Sequence, residues 1–145
     1  MPGIVVGIDG SHNSSKALEW AMTEAAVRKT PLTVLTVHSV MASYWSGQPV
    51  TLPGDEDEVN KVRKSAESAV ADVAAKLGAD QPESVTVTAV NGFTAQALID
   101  ATKDSDLLVV GTRGGGGFGS LLMGSVSSQV VHHANCPVVV VPAGR

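Results

Sequence analysis

The sequence predicts an α/β fold with an open, doubly wound parallel sheet and helices on both faces. Short apolar runs alternate with longer segments in which apolar residues recur at helical spacing, in the order β-α-β-α-β-α-β-α-β. Most of the runs are continuously apolar, as in parallel strands that are buried on both faces. Because crossovers between parallel strands are right-handed and carry helices, this alternation favours one sheet covered on both sides.

The first half of the chain supplies two strands and one helix before the pattern is interrupted. We predict strands over residues 3–8 and 32–38, with the intervening helix stopped by Thr30-Pro31. Residues 40–54 contain Tyr44 and Trp45, have no clear period, and are expected to form a surface loop long enough to act as a lid.

The second half repeats the alternation. We predict a helical stripe over 59–77, a strand over 84–90, a helix over 93–103, a strand over 106–110, a helix from Ser125 to about His133, and a last strand over 138–141. Gly78 has the place of the residue that follows a helix end, and Asn91-Gly92 is typical of a turn. The acidic run at 55–58 is expected to form a solvated first helical turn.

Composition indicates a folded protein of one domain, covering residues 1–145. The 145 residues are 43% apolar and 17% charged, with a formal net charge of −4. A mildly acidic chain without a basic run favours neither nucleic acid nor a membrane surface as a partner. Cys136 is the one cysteine, so no intrachain disulfide forms. Without a visible signal peptide or spanning segment, a cytoplasmic protein is expected.

A glycine-rich stretch after the fourth predicted strand is the strongest functional feature. Residues 111–127 hold seven of the fifteen glycines and lead into a helix. Glycines let a backbone turn tightly and approach a ligand, and the free N–H groups of a helix start attract phosphate. Gly111, Gly114 and Gly124-Ser125 have the spacing G-x2-G-x9-G-[ST].

Other phosphate motifs fit poorly. No lysine follows Asp106, which excludes the Walker A pattern. The G-x-G-x-x-G at 114–119 arises from a run of glycines and follows the fourth strand rather than the first. No Asp or Glu follows residue 106, so the ribose acid of a dinucleotide site is missing and we discount NAD. His132 and His133 come late in the last helix, which favours a structural or exposed role over catalysis.

Individual polar residues permit two interpretations each. Asp9 ends the first strand and is expected to contact ribose hydroxyls or a divalent cation, against the alternative of a turn aspartate. Arg113 fits a phosphate ligand and a solvated loop residue about equally well. His38 is more typical of a rim residue than of a ligand, and Cys136 of a small packed side chain. Tyr44 and Trp45 could cover a base or fold back on their own loop.

The chain resembles the universal stress protein family over essentially its full length. The matching pieces are residues 4–11, 35–38, 106–114, 122–127 and 136–140, and the complete G-x2-G-x9-G-[ST] motif resembles that of the ATP-binding subgroup.

The resemblance implies a five-stranded sheet of order 3-2-1-4-5 that binds ATP with Mg²⁺ or Mn²⁺. The implied nucleotide ligands are Gly7, Ile8, Asp9, Ser39, Val110, Gly111, Arg113, Gly114, Gly124, Ser125, Val126 and Ser127. In this scheme Asp9 holds the ribose or the metal ion, the backbone of Ser39 meets the adenine edge, and residues 114 and 124–127 take the phosphates. Ser39 departs from the valine that is frequent in the family, which weakens base packing but not a backbone contact. The resemblance also implies a homodimer that pairs the last strand, Val138, Val139, Val140 and Val141, across a two-fold axis.

Three functions follow as hypotheses. The leading one is a regulatory ATP-binding stress protein that acts through its bound state and dimer geometry and is not an enzyme. The second is a slow ATPase or nucleotide-transferring enzyme, or a relative that prefers cyclic AMP. The third is an interaction module in which the glycine loop is only a packing feature.

Overall fold

The computed structural model describes residues 3–8, 14–39, 44–45, 48–49, 55–111 and 126–142. Five of the predicted site residues lie outside these described residues: Asp9, Arg113, Gly114, Gly124 and Ser125.

Five parallel strands form the main sheet, and their order confirms the predicted fold class. In chain order they are β1 (Ile4–Ile8), β2 (Leu32–Ser39), β3 (Val85–Gly92), β4 (Leu107–Gly111) and β5 (Val138–Val141). Their order in space is β3-β2-β1-β4-β5, with every neighbouring pair parallel. The order reverses between β1 and β4, which is where open sheets of this kind bind ligands.

Helices cover both faces of this sheet, two on each side. They are α1 (Ser14–Arg28), α2 (Asp55–Leu77), α3 (Thr94–Ala101), which continues as a 3₁₀ turn over Thr102–Asp104, and α4 (Ser127–His133). One apolar cluster joins α1 and α2 to alternate residues of the strands, and a second joins α3 and α4 to the residues between them. We call these sides the α1/α2 face and the α3/α4 face.

Among the described residues, most of the large side chains that are completely removed from solvent belong to the α1/α2 face. Leu18 and Met22 of α1 pack there on Ile4 and Val6 of β1, and all four are at most 1% exposed. Burying side chains of this size contributes about 1.5–3 kcal/mol each relative to leaving them exposed. The helical stripes predicted for α1 and α2 are therefore the core of this face.

The two helices of the α1/α2 face end in left-handed residues of different kinds. Gly78 follows α2 at φ 61°, and its N–H donates to the Ala74 carbonyl at 3.0 Å, as the sequence predicted for that position. Lys29 follows α1 at φ 55°. The N–H groups of Lys29 and Thr30 donate to carbonyls of the last helical turn, which completes a Schellman motif around a residue that has a side chain.

Several boundaries differ from the sequence prediction. The turn expected at Asn91-Gly92 is wrong, because both residues continue β3 as partners of His38 and Ser39. Within the loop expected at 40–54, Tyr44–Trp45 and Gln48–Pro49 pair as two short antiparallel strands. The helix expected over 93–103 is α-helical over Thr94–Ala101 and then continues as a 3₁₀ turn over Thr102–Asp104. The first two of these differences depend on strand pairing that local pattern does not encode.

No helix within the described ranges combines the length and the apolar character that a membrane crossing requires.

Candidate functional site

The candidate site lies at the carboxyl ends of β1 and β4, where the strand order reverses. β1 and β4 pair in register from Ile4 opposite Leu107 to Val6 opposite Val109. Continuing that register sets Gly7 level with Val110 and Ile8 level with Gly111. Four of the predicted ligand residues are therefore neighbours at the carboxyl ends of these two strands.

The side chains of Ile8 and Val110 point to opposite faces of the sheet and are almost fully buried. Ile8 belongs to the α1/α2 cluster and Val110 to the α3/α4 cluster. Because both side chains are part of the core, a ligand bound at these strand ends would contact Ile8 and Val110 through their main-chain groups. That arrangement suits recognition by backbone hydrogen bonds, which depends on strand position more than on side-chain identity.

Gly7 has a packing role that the sequence did not reveal. A Cβ at Gly7 would lie 2.6 Å from Cδ2 of Leu98, which is closer than real Cβ contacts allow. The missing side chain therefore lets α3 approach β1, and Leu98 fills the space on that side of the strand. From the sequence, Gly7 is predicted only as a nucleotide ligand.

β2 continues past the end of β1 and brings its own last residues next to the candidate site. Ile8, the last residue of β1, pairs with Thr36, while β2 continues along β3 to Ser39, which pairs with Gly92. In the preceding row, Nδ1 of His38 lies 3.0 Å from Oδ1 of Asn91. An amide oxygen only accepts, so the His38 ring donates through Nδ1. His38 is thus a rim residue with a partner.

The start of α4 places two further predicted ligand residues at the same end of the sheet as the carboxyl end of β4. Val126 precedes the helix, has helical backbone angles, and packs half-buried against the α3/α4 cluster. Ser127 is the first helical residue. The predicted cap at Ser125 lies outside the described residues and stays a prediction.

A buried threonine ties the two helices of the α3/α4 face together. The hydroxyl of Thr102, after α3, accepts from the backbone N–H of Asn135 at 2.9 Å, beyond the end of α4. Thr102 is 1% exposed, and its hydroxyl also donates to the Ile99 carbonyl. Sequence reasoning missed this contact, since the two residues are 33 positions apart and neither carries a motif.

The titratable groups near α4 are consistent with structural roles. His132 and His133 are exposed in its last turn, with ring centroids 6.5 Å apart. Burial raises the pKa of the Cys136 thiol, and the Asp106 carboxylate raises it further, while a hydrogen bond to the Leu108 backbone acts in the opposite direction. A raised pKa lowers the thiolate fraction, which agrees with a packed and unreactive cysteine. Where side chains are described, no three acidic, histidine or cysteine side chains are grouped closely enough for a metal ion.

Residues 2–142 match the sequence profile of the Universal stress protein family. The chain belongs to this family. A relative described as a universal stress protein from Mycolicibacterium smegmatis is 36% identical over 139 residues, which is 96% of this chain but 47% of the relative. The chain therefore spans about half the length of the curated relatives it matches.

Solved structures of universal stress proteins share the fold. UspA from Lactobacillus plantarum superposes with a TM-score of 0.75 at 22% identity, covering 97% of each chain. A universal stress protein in complex with cAMP gives 0.69 at 23% identity over 99% of this chain and 98% of that one. One from Archaeoglobus fulgidus in complex with dAMP gives 0.62 at 23% identity over 97% and 96%. At these identities the likeness concerns the fold.

Proposed function

We propose that this chain is a regulatory ATP-binding member of the family, whose output is its nucleotide-bound state and its dimer geometry. The observation that carries the proposal is the position of the G-x2-G-x9-G-S motif. Its first glycine, Gly111, ends β4 at the point where the strand order reverses. The rest of the motif follows directly in the chain, as a phosphate loop at such a crevice should.

The proposed ligand scheme assigns the two ends of the nucleotide to different strands. Backbone groups of Ser39, at the end of β2, take the adenine edge, and residues 7–8 and 110–111 flank the base and ribose. Asp9 takes the ribose or a bound Mg²⁺ or Mn²⁺ ion. The phosphates are held by Gly114, Gly124, Ser125, Val126 and Ser127, with Arg113 as an additional cation. Structural neighbours in complex with cAMP and dAMP support an adenine nucleotide as the ligand class.

The proposed dimer uses β5, which lies at one edge of the sheet. Within the described residues β5 has a strand partner on one side only, β4, and its four valines are half-buried. An unpaired edge of apolar residues is stabilised by pairing with another strand, and a second copy supplies one by two-fold symmetry. A cytoplasmic location is part of the same proposal.

Isothermal titration of the purified chain with ATP and Mg²⁺ tests the ligand. We expect saturable binding, and we expect Gly124→Ala to weaken it roughly tenfold, about 1.4 kcal/mol, because an added Cβ keeps the backbone from the phosphates. Gly117→Ala, within the nine-residue spacer between Gly114 and Gly124, is the matched control and should bind as the wild type does. Absence of binding at millimolar ATP would rule the proposal out.

Sedimentation with and without ATP tests the dimer separately. A monomer at every concentration contradicts the dimer and leaves ATP binding standing. A preference for cyclic AMP over ATP in the same titrations would favour the alternative ligand, which the complex with cAMP makes the main competitor. Phosphate release that Asp9→Ala abolishes, with ATP binding retained, would favour a slow ATPase.

A further inference from the structure

The last three residues of β2 are supported differently from the rest of that strand. Up to Thr36, β2 lies between β1 and β3. Beyond Thr36, the described residues that pair with β2 all belong to β3: Val90, Asn91 and Gly92. The position of Ser39 at the very end therefore depends on how well the β2–β3 ladder holds in its last rows.

The row before Ser39 carries a side-chain hydrogen bond between the two strands. His38 and Asn91 are direct register partners, and the His38 ring donates from Nδ1 to the Asn91 amide oxygen at 3.0 Å. Cross-strand pairs of this kind stabilise the local ladder, and they matter most where a strand end would otherwise fray. His38 is half-buried and Asn91 is exposed, so the bond lies at the rim of the sheet.

We propose that Asn91, acting through His38, is a positioning residue for the base-binding half of the nucleotide site. The inference rests on the proposed function, in which the Ser39 backbone reads the adenine edge. A hydrogen bond to the base needs the peptide group of Ser39 within a few tenths of an ångström and at the right angle. The phosphate loop follows β4, on the other side of β1, so it should not respond to the state of the β2–β3 rim.

The two ends of the ligand therefore respond differently to a substitution at Asn91. Losing the rim hydrogen bond weakens ligands that contain adenine and leaves a base-free polyphosphate unaffected. A residue with a merely structural role would weaken both ligands together, through the folded fraction of the protein. This split separates positioning from stability.

The test measures binding of Mg²⁺-ATP, Mg²⁺-CTP and Mg²⁺-tripolyphosphate to the wild type, Asn91→Ala and Asn91→Asp at one fixed pH. Loss of one hydrogen bond predicts ATP binding about 3- to 10-fold weaker in Asn91→Ala. Tripolyphosphate affinity and the urea midpoint should stay near wild type, and the preference for ATP over CTP should fall. Asn91→Asp keeps an acceptor oxygen for the His38 ring and should restore ATP binding.

Thr86→Ala is the matched control, because Thr86 is an exposed polar residue of the same strand, paired with Thr33 far from the rim. It should bind all three ligands as the wild type does. Unchanged ATP binding in Asn91→Ala, or equal weakening of ATP and tripolyphosphate, overturns the inference while the proposed function stands. A wild type that binds no ATP overturns the proposed function and this inference with it.

Discussion

The two faces of the sheet are built by different means. On the α1/α2 face, fourteen described residues form one buried apolar cluster beneath helices of 15 and 23 residues. On the α3/α4 face, seven of the described residues form the buried cluster between the sheet and helices of eight and seven residues. The second face also has two specific contacts. Leu98 packs against Gly7, and the Asn135 backbone N–H donates to the Thr102 hydroxyl.

This difference indicates where the protein is rigid and where it can respond. A segment with few buried apolar contacts opens at lower free energy than the main core. Among the described residues of the candidate site, Gly7, Val110 and Val126 lie on the α3/α4 face, whereas Ile8 lies on the α1/α2 face. We therefore expect the α1/α2 face to determine global stability and the α3/α4 face to respond to ligand binding at the candidate site.

The comparison is tested most directly by removing a leucine from each face. Leu18→Ala should cost toward the upper end of about 2–5 kcal/mol of unfolding free energy, because the long helix α1 packs on the sheet and against its neighbour α2 and cannot collapse into the cavity. Leu98→Ala should cost less, since the short α3 can relax toward the sheet. Urea unfolding measures both, with Val27→Ala, at an α1 residue that is 73% exposed, as the control. Equal costs would break the comparison.

The hydrogen bonds at Thr102 should carry much of the stability of the second face. Thr102→Val removes the acceptor of the part-buried hydrogen bond from the Asn135 N–H, and should cost about 0.5–1.5 kcal/mol. Thr23→Val is the matched control, because its hydroxyl donates to the Glu19 carbonyl on an exposed helical surface and its loss should be nearly neutral. Denaturation midpoints compare the two. A similar small effect at both positions would mean that apolar packing alone holds α3 and α4.

The close contact between β1 and α3 is open to a double-mutant cycle. Gly7→Ala should cost about 1 kcal/mol, at the low end of overpacking, because the atom it meets is the flexible tip of Leu98. In a Leu98→Ala background the same change should cost almost no unfolding free energy, so the coupling energy should be about as large as the cost of Gly7→Ala in the wild type. Unfolding free energies of the four proteins supply the cycle. Additive effects would show that Gly7 does not govern the approach of α3.

The smallest expected effect is a gain, at the end of α1. Lys29→Gly removes the cost of a left-handed side-chain residue, about 1–2 kcal/mol, and loses some of that gain to the flexibility of glycine in the unfolded chain. We expect a net stabilisation of about 0.5 kcal/mol by thermal or urea unfolding. Gly78→Ala, at the corresponding place after α2, should act in the opposite direction. A destabilising Lys29→Gly would mean that the lysine side chain contributes more than its backbone angle costs.

Patterns within a few residues determined much of this molecule in advance. The continuous apolar runs predicted five buried strands, and the i, i+3, i+4 stripes predicted α1 and α2, because the burial of one face leaves a period in the sequence. Gly78 was recognisable because glycine after a helical stripe has few other uses. The glycine spacing from Gly111 onward predicted a candidate site for the same reason, since the proposed phosphate contacts come from one short stretch of the chain.

What only the tertiary structure decided are the contacts between residues that are distant in sequence. No local pattern predicts that Asn91 pairs with His38, that Leu98 packs where a side chain at Gly7 would lie, or that Thr102 accepts a hydrogen bond from Asn135. Each is a pairing set by strand register and helix position, and register depends on the summed packing of whole faces rather than on any one residue. The sequence by itself therefore determined the elements, their order along the chain and the glycine motif, whereas the structure decided which residues distant in sequence contact one another.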